Sequence, residues 1–492
     1  MNSVQSTPIR STRRCRRRSA TLLLVTLTCG VLHRPTVADP LSDVFQPDAL
    51  RTGAALRERT PGLTDPRGRD CELPGDALSF AAAVDLALCR NPATRSAWAT
   101  ARQQAAALGS AESAWLPSIT TTDTASRDFG NHEDTSGGLF PGPQNTEDAA
   151  ANLSWVLYDF GARGGRIASA RHLLDAAAAT ASSVSQQTVL NVVQSYYGVV
   201  AAEAGVVAAR TTESNDARSF EVARSLREGG AGTRADVLQA ETAFDQSVLA
   251  RIQAEAAAKT AHGTLAVTLG LPADQTLTLA PDAVPAEAPA LTARMADLMA
   301  EAMRQRPDLA AARAQRDSAE ANITVARAAG RPSVSISAGH HLVVTTDSAQ
   351  QNYSLIGVNV TVPIFTGFNV DYGVRQAQAA LEASEADAER VRLGVTQGVW
   401  NAYYALESAN QQLTVTTGLT QVAEENQQVA LGRYQAGVGS IVDVLTAQTA
   451  ASLARVTRIN AELGWQVARA QLALALGRLT SAAPLSSVGT LP

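Results

Sequence analysis

Two carboxylates stand in matching surroundings in this 492-residue chain: Asp236 just after Gly232-Thr233, and Asp443 just after Gly439-Ser440. An acid in the first turn of a helix that opens after a glycine break lies against the positive end of the helix dipole. Cys71 and Cys89 are 18 residues apart. In an oxidising compartment they could form a disulfide tying an N-terminal extension to the first helix, with two buried free thiols as the alternative. There is no C-x-x-C pair, so neither a zinc ribbon nor a thioredoxin-like motif is expected. The six His are scattered, and His340-His341 lacks nearby carboxylates at metal-ligand spacing. No metal site and no cofactor are expected. A nucleophile motif, a phosphate loop and a paired-carboxylate constellation are all missing from the sequence, which argues against an enzyme. Lys+Arg is 41 against Asp+Glu 46, for a net charge of −5. Phosphate binding needs a basic surface, so nucleic acid is not an expected partner.

The elements that carry these residues begin after a leader. Arg10, Arg13, Arg14, Arg16, Arg17 and Arg18 precede an apolar run from Ala20 to Leu32, and Thr36-Val37-Ala38 then supplies small residues before Asp39. Basic, apolar and small segments in that order form a secretory signal over residues 1–38. A mitochondrial presequence is also Arg-rich but is amphipathic instead of carrying a solid apolar block. Cys29 is a lipidation candidate on a poor lipobox, Thr26-Leu27-Thr28. The leader holds seven Arg and no acid, so its removal takes the net charge from −5 to −12. It also takes Cys15 and Cys29 with it. No later run of 18 apolar residues is visible, so a membrane-spanning helix is not expected and any crossing must use strands.

The remaining chain repeats itself. Tyr196-Tyr197 recurs as Tyr403-Tyr404, Asp236-Val237-Leu238 as Asp443-Val444-Leu445, and Leu269-Gly270 as Leu476-Gly477, all 207 residues apart. Upstream, Pro117-Ser118 matches Pro332-Ser333 at a spacing of 215. The first copy therefore carries eight more residues between Ser118 and Leu157, the signature of a longer surface loop. Two internal repeats follow, with boundaries at 93–277 and 305–477. They are flanked by an N-terminal extension (39–92), an equatorial connector (278–304) and a flexible tail (478–492).

Each repeat reads as helix, two strands, long helix, helix. Ala93–Trp115 is Ala-rich and ends at Pro117. Ser118–Ala125 and Ala151–Leu157 read as strands around a Gly-, Pro-, Asn- and Asp-rich loop. Ala162–Arg227 and Arg234–Leu269 read as helices broken at Gly229-Gly230-Ala231-Gly232. In the second repeat Ser333–Ala338 and Gly357–Ile364 alternate polar and apolar residues. That period suits a soluble half-buried hairpin and equally an outer-membrane strand with a wet lumen face. Asp371–Tyr434 holds 64 residues without Pro, roughly 96 Å of helix. Ser440–Leu476 and Gln305–Ala329 together reach a similar length, so two shorter helices can lie end to end beside the long one. Four strands per chain cannot close a barrel, and lipid forbids open sheet edges. Three copies would give twelve strands and twelve helical staves.

The residues at the strand–helix junctions carry a resemblance. Trp155-Val156-Leu157-Tyr158-Asp159-Phe160-Gly161 and Val362-Pro363-Ile364-Phe365-Thr366-Gly367-Phe368 resemble junctions of the TolC family of outer-membrane factors. So do Arg433-Tyr434-Gln435-Ala436-Gly437 followed by Ser440–Leu445, and the Leu-Gly ending at Gly477. The resemblance spans about residues 75–477 and implies an α+β membrane protein. Its trimeric twelve-stranded barrel in the outer membrane continues into a twelve-helix α-barrel in the periplasm. It implies an exit duct for a tripartite system of type I protein or toxin secretion or of multidrug efflux. The partners implied are two further copies, outer-membrane lipid, a periplasmic adaptor and an inner-membrane ABC or proton-driven pump.

By the same resemblance Asp443 matches an acid that rings the closed periplasmic mouth, Tyr434 matches a Tyr that latches it, and Asp236 is the repeat equivalent of Asp443. Three like charges around a narrow lumen attract cations and repel anions. A second ring position falls on Thr446 and a latching Arg position on Gly439, which leaves open how this mouth is held. The turns Gly230, Gly232, Thr233 and Gly437, Gly439, Ser440 match the tips on which adaptors dock. The residues do not choose the cargo, the pump or the adaptor. A structural periplasmic coiled-coil protein without a pore is the other reading.

Overall fold

A computed structural model describes residues 71, 73, 77–133, 138–280, 294–346 and 350–479, all within the compact unit Pro47–Pro492. The leader, Cys29, the extension up to residue 70, connector residues 281–293 and the tail from 480 lie outside the described residues.

The chain order is α1 (Phe80–Arg90), α2 (Pro92–Glu112), β1 (Ser118–Glu133), β2 (Leu139–Tyr158), α3 (Ala162–Glu228) and α4 (Arg234–Thr268). It continues with α5 (Met295–Gln305), α6 (Pro307–Ala328), β3 (Ser333–Thr345), β4 (Gln351–Thr361), α7 (Asn369–Gln435) and α8 (Ile441–Ala475). Helices α3 and α7 each hold 67 residues and begin 207 apart, and α4 and α8 each hold 35. At 1.5 Å per residue the long pair are about 100 Å rods.

Beside each rod two shorter helices abut end to end. Asn91 caps α2 by accepting from the Ala93 N–H at 2.8 Å, and its amide donates to the carbonyl of Thr268, the last residue of α4, at 2.9 Å. The other half makes the same joint with a different residue: Arg306, preceding α6, reaches the carbonyl of Ala475 at the end of α8. Glycine is required at both joints. Gly270 and Gly477 are left-handed, at φ +76° and +77°, and a Cβ there would lie under 3 Å from the backbone of Arg90 and Gln305 respectively.

The four strands form one antiparallel sheet in the order β1-β2-β3-β4. β1 and β2 run well past the expected ends, and this corrects the loop reading of residues 126–150. Pro141, Gly142 and Pro143 suggested a loop, but they lie where β2 pairs with β1 alone, because the β3 pairing begins at Thr146. Proline has no N–H, and a stretch with one open side tolerates it. Register assigns the faces. Ile119, Leu153, Ile336, Ala338, Ile356 and Val358 share one side, while Thr120, Thr122, Asn152, Ser154, Ser335, Ser337 and Asn359 share the other.

Strand and helix join through two successive left-handed residues in each half: Phe160 (φ 52°) and Gly161 (φ 96°), then Gly367 (φ 63°) and Phe368 (φ 62°). A non-glycine residue there costs about 1–2 kcal/mol. In the first half a buried arginine ties the joint. Arg163, 3% exposed, bonds the Asp159 carboxylate at 3.0 Å and the carbonyls of Val156 and Leu157 at 2.6 and 3.0 Å. Its guanidinium also lies 4.1 Å from the centre of the Trp115 ring.

Apolar packing runs along the rods. Trp98, Ala101 and Ala105 of α2 meet Leu174, Ala178 and Ala181 of α3. At mid-height α1 packs on Val192, Val193 and Tyr196 of α3, whose hydroxyl donates to the carbonyl of Leu78 or Ala280, each 3.3 Å away. Thus part of the segment read as an extension is an ordered helix on the core. One 18-residue window of α3 has mean hydropathy 1.3, with 33% of it buried. By length and composition alone α3 passes as a candidate span, though its window is not an unbroken apolar run. Val192, Val193 and Tyr196 of this helix pack against α1, and Leu174, Ala178 and Ala181 against α2.

Candidate functional site

The ends of the rods away from the sheet are two helical hairpins, α3–α4 and α7–α8, and most of the expected site residues lie there. Each long helix closes with bonds that reverse the chain. The Ala231 N–H donates to the Leu226 carbonyl at 2.8 Å, and the Val438 N–H donates to the Arg433 carbonyl at 3.0 Å. Such a closure needs a left-handed residue, supplied by Gly230 (φ +77°) and Gly437 (φ +74°). Gly232 and Gly439 are favoured for a different reason, close approach to the end of the preceding helix. A Cβ on Gly232 would stand 3.0 Å from the Arg227 nitrogen, and one on Gly439 would stand 3.2 Å from the Tyr434 nitrogen.

The next residues cap the returning helices. Thr233 Oγ1 accepts from the Asp236 N–H at 3.1 Å, and Asp236 Oδ2 accepts from the Thr233 N–H at 3.0 Å. Ser440 and Asp443 repeat the reciprocal pair with both distances 3.2 Å. Asp236 and Asp443 thus complete capping boxes, each satisfying an N–H that the helix start leaves unpaired. Hydrogen bonds from Ser440 hold the Asp443 carboxyl below its ordinary range, and the charge of Arg433 adds to this.

Beneath the turns, Ala223, Val237, Ala240, Tyr434, Ile441 and Val444 form an apolar plug joining the two hairpins. Tyr434 is 5% exposed, and its hydroxyl finds no hydrogen-bond partner among the described residues. Burial, and secondly the negative charge of Asp236, push its phenol above the usual range. The structure therefore packs Tyr434 between the two hairpins, where its phenol feels the charge of Asp236.

Asp443 and Arg433 line a groove of about 310 Å³ together with Gly439 and Thr446. These are the two positions at which the sequence departs from the family pattern. Arg433 stands one helical turn before the Gly437 break, on the same groove as Asp443. A second group was missed altogether. Asp216 of α3 is 7% exposed, and burial raises its carboxyl to about 6. Only tertiary packing reveals this, since a single acid in a polar helical stretch carries no signal.

Cys71 and Cys89 lie with Cα atoms 6.0 Å apart and their sulfurs together, joining the residue-71 segment to α1. Among the described residues no group of three or more His, Cys, Asp or Glu is placed to hold a metal ion.

Residues 83–271 and 298–478 match the family described as outer membrane efflux protein. Protein CyaE of Bordetella pertussis is 29% identical over 423 residues, which cover 82% of this chain and 87% of that protein. Outer membrane protein TolC of Vibrio cholerae is 26% identical over 389 residues, covering 76% and 85%. The solved structure of the outer-membrane channel OprN has the same fold, at TM-score 0.70 and 22% identity over 85% of this chain and 96% of that one. Capped helical hairpins of matched length, a four-stranded two-faced sheet and this match over most of its length place the chain in the outer membrane efflux protein family, a family of outer-membrane export channels and not of enzymes.

Proposed function

We propose that three copies of this chain close their four-stranded sheets into one twelve-stranded barrel in the outer membrane. Twelve helical staves would continue it across the periplasm as the exit duct of a tripartite export system. The observation that carries this reading is the sheet itself. Toward the helices it carries Ile119, Leu153, Ile336, Ala338, Ile356 and Val358 on one side and Thr120, Asn152, Ser154, Ser335, Ser337 and Asn359 on the other, ends in two outer strands, and runs directly into rods of about 100 Å. Four strands cannot close, and a lipid-exposed edge is forbidden. The exposed aromatics at the junctions, Tyr158, Phe365, Phe368 and Tyr372, suit the girdle where a barrel meets the headgroups.

The two halves act as structural repeats in this reading, and residues 1–38 direct the chain through the inner membrane before removal. The tip turns receive a periplasmic adaptor, which couples the duct to an ABC or proton-driven pump. Asp443 faces the lumen at the mouth as a ring of three acids, balanced by Arg433, while Tyr434 packs between the two hairpins with Ala223, Val237, Ile441 and Val444. Cys71 and Cys89 form a disulfide that fixes the preceding segment to α1. The relatives include the alkaline protease secretion protein AprF of Pseudomonas aeruginosa and the efflux protein BepC of Brucella suis, so the family serves both cargo classes. Outer membranes extracted in detergent test the assembly. A heat-sensitive three-chain band supports it, and a monomer confined to the aqueous fraction contradicts it.

A further inference from the structure

Contacts within the first half have counterparts in the second when α2 residues are advanced by 215 and α3 or α4 residues by 207. Asn91 on Thr268 becomes Arg306 on Ala475. Arg90 against Gly270 becomes Gln305 against Gly477. Trp115 under Arg163 becomes Gly330 against Val370, where a Cβ on Gly330 would be 2.9 Å from the valine. This last pair shows how the rule treats size. Backbone positions are kept while the volumes change.

The contacts between the two halves have no counterpart inside the chain: α3 of the first half meets α8 of the second, where Gln448 bonds Ser219, and it also meets α6 of the second. There Ser169 and Ser318, 7% and 3% exposed, share a hydrogen bond at 2.9 Å. Gly165 allows the helices to approach, since a Cβ would lie 2.8 Å from Val325. The same offsets carry Ser169 to Gln376, Ser318 to Gln103, Gly165 to Tyr372 and Val325 to Ser110. Those four residues are exposed, Tyr372 by 65%, on the two helices that flank the outer strands of the sheet.

We propose that the α3–α6 seam is repeated between α7 of one copy and α2 of the next, pairing Gln376 with Gln103 and packing Tyr372 over Ser110 of the neighbouring copy. The occupant is a second copy because the internal seam supplies both halves of the match. The volumes also reverse in a complementary way: glycine against valine inside the chain, tyrosine against serine between chains. Where the internal seam has two short hydroxyls, two amides can each donate and accept across the longer gap. Buried, such a pair must be satisfied, so it fixes register as well as adhesion. The inference rests on the proposed three-copy assembly and adds its register.

Oxidative cross-linking of a Gln103→Cys, Gln376→Cys variant tests it. Bands of two and three chains are expected on a non-reducing denaturing gel, with none from either single variant. Ser169→Cys with Ser318→Cys, the template, is expected to link within one chain. Gln103→Cys with Arg390→Cys, displaced by roughly 21 Å along α7, is expected to stay unlinked. A parent that assembles while the displaced pair links and the Gln103–Gln376 pair does not would overturn the register and leave the three-copy reading intact. A parent that stays monomeric would overturn both. As a check independent of cysteine, Gln103→Glu is expected to lower the temperature at which the assembly dissociates, and adding Gln376→Arg to restore it. Failure of that rescue counts against the pairing.

Discussion

Asp216 gives the sharpest energetic prediction. It lies on α3 between the turn of Glu213, which pairs with Arg251, and the turn of Phe220, which stacks on Phe244 of α4. Burial lifts its carboxyl from the ordinary 3.8 to about 6. The folded chain therefore binds a proton at this site where the unfolded chain does not. Stability falls as pH rises from about 4 to about 6 and stays lowered above that. The gap corresponds to roughly 3 kcal/mol at ~1.4 kcal/mol per pH unit, and water reaching the seam trims it to about 2. Asp216→Asn keeps the shape and removes the charge. Thermal loss of the helix signal, followed in matched detergent at several pH values, should show the Asn variant to be more stable at pH 7.5 and equal to the parent at pH 4. Comparing the two proteins cancels the other carboxylates. An Asn variant no more stable at pH 7.5, or an advantage that persists at pH 4, would refute the assignment of a buried, charged and uncompensated carboxylate.

Three further outcomes are expected. Gly437→Val forces a branched side chain into a left-handed turn at a cost of about 1–2 kcal/mol. Assembled copies should persist in the outer membrane while export is lost, as read by a heat-modifiability gel beside a cargo assay. Gly165→Ala places a Cβ 2.8 Å from Val325, so overpacking should destabilise the chain by roughly 1–3 kcal/mol in a melting experiment. Arg163→Ala strips the Asp159 carboxylate and two strand carbonyls of a buried partner. A loss of about 3 kcal/mol is expected, with protease cleavage opening first near residue 160.

Helices were the most readable part of the chain. A proline-free span ending in glycine fixes its own limits, so Ala162–Arg227 and Asp371–Tyr434 fall within two residues of α3 and α7. The tip residues were readable for the same reason, because Gly230, Gly437 and the acids after them serve local geometry. Strands beyond Ala125 were hidden, since Pro141-Gly142-Pro143 reads as a loop unless the one-sided pairing of that stretch is known. Arg163, Arg433 and Asp216 were not legible as working residues. Their roles depend on what packs around them, and charged residues in helices usually face water. Tyr434 was picked out by resemblance, but its burial in the apolar cluster between the hairpins came only with the packed chain.

Conductance in a planar lipid bilayer tests the central claim most directly. If the sheets of several copies share one membrane-embedded wall around a continuous lumen, purified protein added to one side should insert and give discrete, long-lived unitary current steps. A bilayer that stays silent, with protein shown to be inserted in it, would contradict the account.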